Sequence, residues 1–174
     1  MNTFWEERFR DEGRIWGDSP SRTAAYAIDL FRKTGVRKVL IPGCGYGRNA
    51  EAFARAGFEV TGIEISKTAI SIAQQGSLKI QYHFGSVLDM PFNNQVYDGI
   101  YCFNVLHLFR KDDKAAFLQR CRKQLKEGGA MFFVVFSDKE SSYGTGRMVE
   151  ENTFESKPGR EVHYYTDEDL VSEF

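Results

Sequence analysis

Apolar residues at Ala24, Ala27, Ile28 and Phe31 recur at the i, i+3, i+4, i+7 spacing of a helix with one buried stripe. Ser21 is suited to cap its start and Gly35 to end it in the left-handed conformation. Upstream, Trp5, Phe9 and Trp16 predict a short helix within a mobile arm over residues 1–20. Downstream, short apolar runs alternate with helical patterns. Lys38–Ile41, Phe58–Ile63, Lys79–Phe84, Tyr97–Phe103 and Ala130–Phe136 read as strands. Between them lie helices over Asn49–Ala56, after Ser66, and after Asp112 through Phe117, Leu118, Cys121 and Leu125 to Gly128-Gly129. Such alternation predicts an open parallel α/β sheet with right-handed crossovers, and Ala130–Phe136, the most apolar run, predicts a central or doubly covered strand. From Asp138 the texture turns polar and glycine-rich, so residues 138–165 read as a long loop, mobile for want of apolar anchors. Thr166-Asp167-Glu168-Asp169 forms a capping box that opens a last helix.

Length and charge bound what such a domain can do. The 174 residues fit a single domain, with 42% hydrophobic and 27% charged positions. A formal net charge of -1 gives no reason to expect nucleic acid or an anionic membrane as partner. No run approaches the ~18–20 apolar residues that span a bilayer. The Met1–Arg8 segment has no apolar core, so no signal peptide is visible. Three scattered cysteines, Cys44, Cys102 and Cys121, fit a reducing, cytoplasmic setting, and the scattered histidines His83, His107 and His163 offer no metal spacing.

The first candidate chemistry is the turn Pro42-Gly43-Cys44-Gly45-Tyr46-Gly47 between a strand and a helix, where glycines let backbone approach a ligand. Its G-x-G-x-G pattern departs from the dinucleotide G-x-G-x-x-G because Arg48 stands where the third glycine belongs. The loop therefore suits a nucleoside without a pyrophosphate better than a dinucleotide. Glu64 ends the next strand at the spacing from which a carboxylate reaches a ribose diol. The alternatives are a plain strand–turn–helix corner and a carboxylate at a solvated strand end.

Taken together, Val39–Asn49, Val60–Ser66, Gly85–Phe92 and Tyr97–Ile100 resemble the successive motifs of class I S-adenosylmethionine-dependent methyltransferases over about residues 37–137. The Pro-x-Cys-Gly loop, the Gly-Ile-Glu-Ile-Ser strand end and the Trp-bearing arm look most like the thiopurine and tellurite-resistance methyltransferase-like subgroups. The resemblance implies a Rossmann-like sheet in the order 3-2-1-4-5 with helices on both faces. It implies that Gly43, Cys44 and Gly45 line the methionine and ribose side, that Glu64 binds the ribose hydroxyls and that Ile65 packs on the adenine. Ser86 and Val87 would flank the adenine edge with Asp89 nearby, and Phe103 would lie by the methionine. Two departures stand out. Pro42 occupies a position where the family often has an acid for the ligand's amine, and the chain has room for five of the usual seven strands, as if cut short at its C-terminal end. An apolar edge strand left without those strands would pair with further residues or with a second copy, giving a homodimer.

S-adenosylmethionine-dependent transfer to a small-molecule acceptor is an in-line displacement, in which positioning and desolvation do most of the work. A base is needed only when the acceptor carries a proton. His107, in Asn104-Val105-Leu106-His107, is the one candidate base, against its reading as a structural histidine. Trp5, Phe9 and Trp16 are either a lid over the sulfonium or ordinary core. Tyr143, Arg147, Arg160, His163 and Tyr164 sit where acceptor specificity would be built, and Arg120, Arg122, Lys123 and Lys126 read as a solvated helix face. The rival functions are a nicotinamide-nucleotide oxidoreductase and a non-catalytic nucleoside-binding scaffold.

Overall fold

A computed structural model describes residues 3–174; Met1 and Asn2, on which the expected arm and the absent signal peptide partly rest, lie outside the described residues. The main sheet is parallel and five-stranded in the order β3-β2-β1-β4-β5, as the motifs imply. Its strands are β1 (Lys38–Pro42), β2 (Glu59–Glu64), β3 (Gln81–Phe84), β4 (Tyr97–Phe103) and β5 (Leu125–Val134). The order reverses between β1 and β4, so a crevice opens at their carboxyl ends.

Strand periodicity divides the core into two layers. Val39, Ile41, Val60 and Tyr101 face α2 (Arg22–Lys33) and α3 (Arg48–Arg55), where Phe31 and Phe53 are fully buried. Leu40, Ile63, Ile100 and Cys102 face the other way, toward Phe117, Leu118 and Cys121 of α5 (Lys111–Gln124). Strand β5 follows the same rule: Ala130, Phe132 and Val134 pack on the first layer, Met131 and Phe133 on the second. It is covered on both faces yet lies at the sheet edge, so its residues 130–134 are only half-buried. The pair Gly128-Gly129 does not close α5. The helix ends at Gln124, Tyr97 pairs with Leu125 and Gly99 with Ala130, so residues 126–129 bulge out within the strand.

The helix starts match their sequence signals at several points. Ser21 Oγ accepts from Ala24 N, and Ser66 Oγ accepts from Ala69 N at the start of α4 (Lys67–Ala73). Thr166 and Asp169 form the reciprocal capping box of α6 (Asp167–Glu173). Asp112 lies inside the first turn of α5 rather than at its cap, which is Arg110.

Two larger expectations are corrected as well. The arm is tied down: Glu6 of α1 (Phe4–Glu12) accepts from Ser66 Oγ and Thr68 Oγ1, both at 2.7 Å, and Tyr46 Oη donates to Gly17 O at 2.8 Å. Residues 138–165 are not one long loop: 138–146 are turns, and 147–163 form an antiparallel sheet of β6 (Arg147–Glu150), β7 (Thr153–Lys157) and β8 (Arg160–His163), with Ser137 bridging to Tyr165 beyond it. Short strands with turns at Asn152 and Gly159 leave too little apolar periodicity to read. Their order comes from paired side chains, Arg147 with Glu155 and Thr153 with His163, and from Tyr143, Phe154 and Tyr164 packed edge to face. Among the described residues no helix is long and apolar enough to cross a membrane.

Phe53 joins α3 to the sheet through ring contacts with Phe31, Phe58 and Tyr101. Replacing it with alanine removes a fully buried ring, and Phe53→Ala should cost about 3–5 kcal/mol, measured as a fall in the urea unfolding free energy.

Candidate active site

The crevice at the reversal point is a cleft of about 910 Å³. Its floor is the turn after β1. Gly43, Gly45 and Gly47 all have left-handed backbones, with φ of 66°, 56° and 88°. At Gly43 a Cβ would drive into the side chain of Val105, so only glycine lets the two loops meet there. Gly47 begins α3.

Glu64 ties this turn to the rest of the site. One carboxylate oxygen accepts from Gly45 N at 2.9 Å; the other accepts from Ile65 N at 2.8 Å and Ser66 N at 2.9 Å. The side chain is buried but reaches the cleft. Burial pushes its pKa up, opposed by the three N–H donors that favour the charged form. Cys44, beside it, is buried, and burial followed by the Glu64 charge holds it as a thiol. Ser86 caps the 3₁₀ turn Val87–Asp89 by accepting from Leu88 N, which fixes the loop after β3 against the cleft.

Every nucleoside-site residue read from the motifs lines this one cleft: Gly43, Cys44, Gly45, Glu64, Ile65, Ser86, Val87 and Phe103, with Asp89. Trp5, Phe9 and Trp16 form its wall on the arm side, so lid and core are combined: Phe9 is buried while Trp16 is 45% exposed and stacks on Tyr46. Arg48 donates to Trp16 O and Ser19 O and lies over the rings of Trp16 and Phe103. The bond from Glu6 to α4 was not legible, because nothing local in the sequence links positions 60 apart.

Asn104, next to the Val105 that packs on Gly43, lines the cleft with His107 and Arg160. Asn104 has a left-handed backbone (φ 57°), and its side-chain carbonyl oxygen is buried without a partner. His107 is 2% exposed, stacks on Phe136 at 4.3 Å and leaves Nδ1 unpaired. Burial, then the charges of Arg160 and His163, push its pKa down to about 3, so it is neutral. Of the five residues expected to shape acceptor specificity, only Arg160 reaches the cleft. Tyr143, Arg147, His163 and Tyr164 instead bond to Asn152, Glu155, Thr153 and Ser142, within and around the small sheet. The basic cluster is also partly engaged: on α5 Arg120 donates to Met90 O and Arg122 to Glu173 O, while Lys126, in the bulge of β5 and not on the helix, pairs with Asp98.

The family model described as "Methyltransferase domain" matches residues 39–129. The chain is 31% identical over 147 residues to a ubiquinone biosynthesis O-methyltransferase of Hydrogenovibrio crunogenus, covering 82% of the chain and 59% of that protein. It is 32% identical over 123 residues to the protein of that name from Vibrio cholerae, covering 68% and 49%. The chain thus spans about half the length of the curated relatives it matches. In fold it is similar to an S-adenosylmethionine-dependent methyltransferase from Clostridium acetobutylicum (TM-score 0.74, 16% identity, covering 99% of this chain and 85% of that one). It is also similar to the Burkholderia thailandensis 1,6-didemethyltoxoflavin-N1-methyltransferase, solved with bound 1,6-didemethyltoxoflavin and S-adenosylhomocysteine (TM-score 0.76, 21% identity, covering 99% and 73%).

A histidine kept neutral by burial favours the fold above its unfolded pKa of ~6.5, and that contribution is lost as pH falls from there toward about 3. His163 is shifted the same way. The carboxyls of Glu6, Asp98, Glu155, Glu161 and Asp169 are shifted down and add their loss only at lower pH, below ~4.5. The urea midpoint should therefore drop between pH 7 and pH 5, and by less in His107→Gln. An equal drop in both proteins would refute the assignment.

Proposed function

The chain belongs to the methyltransferase-domain family, and from that premise we propose that it transfers a methyl group from S-adenosylmethionine to a small-molecule acceptor. The observation that carries this reading is the Glu64 clamp: a buried carboxylate that fixes the glycine turn and still reaches the cleft, where a ribose diol can donate to it. Ile65 and Val87 offer apolar surface to an adenine, and the cleft volume suits a nucleoside with an amino-acid tail. Pro42 cannot hold the ligand's amine; the unpartnered Asn104 carbonyl oxygen is an acceptor at the same mouth of the cleft that can.

The bound sulfonium supplies an electrophilic methyl group. The protein's part is to align that methyl with the acceptor and to exclude water. The aromatic wall of Trp5, Phe9 and Trp16 supports exclusion, and its π faces suit a cation. His107 is neutral and so free to take a proton, but its low pKa makes it a weak base. The reading therefore rests on positioning, with acceptors that ionise readily served best. The ubiquinone and toxoflavin enzymes named above methylate small molecules according to their names, which supports the acceptor class. Association of two copies along the outer edge of β5, with which no described strand pairs, belongs to the same reading.

Calorimetry tests it. S-adenosylhomocysteine should bind the parent chain and NADH should not. Glu64→Ala should weaken binding by about 1.5–3 kcal/mol, with a parallel urea titration to account for the backbone N–H groups it leaves unpaired. Binding of NADH alone would favour an oxidoreductase. Binding of the nucleoside with no turnover on thiols, amines or phenols would favour a scaffold.

A further inference from the structure

Around β8 the charged and polar side chains have protein partners, with one exception. Glu161 takes a bidentate pair from Arg110 at 2.6 and 2.5 Å, His163 bonds to Thr153, and Tyr164 and Tyr165 bond to Ser142 and Glu173. The Arg160 side chain makes no hydrogen bond or ion pair to any described residue, and its Nε is fully buried. Asp113 also lines the cleft but does not pair with it. A buried Nε–H without a partner is costly, and the edge of the guanidinium that carries it is built to take a carboxylate in two parallel bonds.

The surroundings narrow what could supply that anion. The strand that carries Arg160 packs on the 3₁₀ turn Leu106–Leu108, which carries His107. His107 and Phe136 lie stacked, and both line the cleft with Phe109. His107 Nδ1 is a second unpaired polar atom at this end. The cations beside the glycine turn are already engaged: Arg8 pairs with Glu12, and Arg48 holds backbone carbonyls of the arm. Arg160 comes from the opposite, C-terminal side of the cleft.

We propose that Arg160 is the specificity-determining residue of the acceptor pocket, and that the acceptor is a flat aromatic molecule bearing a carboxylate, held by Arg160 with its ring against Phe136 and Phe109. The inference rests on the methyltransferase reading and names the substrate class of that same site. The carboxylate is the handle; the atom that receives the methyl group lies elsewhere on the ring, toward the sulfonium.

The test is equilibrium binding to the S-adenosylhomocysteine complex of the full chain. Benzoate, salicylate, quinaldate and indole-2-carboxylate are each compared with the matching carboxamide. At least one acid should bind tenfold or more tightly than its amide. Arg160→Gln should erase that preference and Arg160→Lys should restore part of it, with S-adenosylhomocysteine affinity unchanged. The inference is overturned if no acid outbinds its amide, or if Arg160→Gln keeps the preference. It is also overturned if Arg160→Gln weakens S-adenosylhomocysteine but not 5′-methylthioadenosine, which lacks the carboxylate, since Arg160 would then serve the donor. Failure of the parent chain to bind S-adenosylhomocysteine is a distinct result, and it removes the methyltransferase reading itself.

Discussion

Glu64 is a carboxylate withdrawn from water at the end of a central strand, and its two oxygens are shared among Gly45, Ile65 and Ser66. A buried carboxylate is tolerated only where donors surround it, so the glycine turn and the start of α4 must come to the strand end and stay there. That requirement shapes everything near the reversal point. The turn can answer it only with left-handed glycines, and Val105 can close over Gly43 only because no Cβ intervenes. Ser66, held by Glu64 through its backbone, caps α4 with its side chain and also donates to Glu6. The arm is thus fastened, at one remove, to the same carboxylate.

Backbone and side chains of the cleft are treated differently. Around the glycine turn the backbone donors Gly45 N, Ile65 N and Ser66 N have all found the Glu64 carboxylate. Among the side chains that line the cleft, Asn104 Oδ1, His107 Nδ1 and Arg160 Nε are buried without a partner. A scaffold that satisfies its backbone and leaves side-chain atoms unpaired at a cleft has divided rigidity from recognition, a division common where binding sites sit on a stable scaffold.

The sheet, its order and the gathering of the motif residues on one cleft were legible because their signals are local. A buried parallel strand is a short apolar run, and a glycine turn followed by an acid at the next strand end lies within some twenty residues. Ser21, Ser66 and Thr166 cap where their side chains suggest, for the same reason. What was not legible depends on distant partners. The arm looks mobile until Glu6 meets Ser66 and Thr68. The three-stranded sheet looks like a loop because Arg147–Glu155 and Thr153–His163 are pairs of polar residues, invisible to a hydrophobic period. His107 and Arg160 could be named as candidates, but only the fold brings them to one wall, and it takes Tyr143, Arg147, His163 and Tyr164 away from it.

The small sheet meets the main domain through the bridge of Ser137 with Tyr165, the Arg110–Glu161 pair, the bond from Lys111 N to Glu150, the rings of Phe136 and Tyr164, and β8 against the turn that carries His107. None of these passes through Glu64 or the glycine turn. Residues 138–163 therefore behave as an exchangeable cassette. Substitution within it can redraw one wall of the cleft while the half around the glycine turn keeps its form.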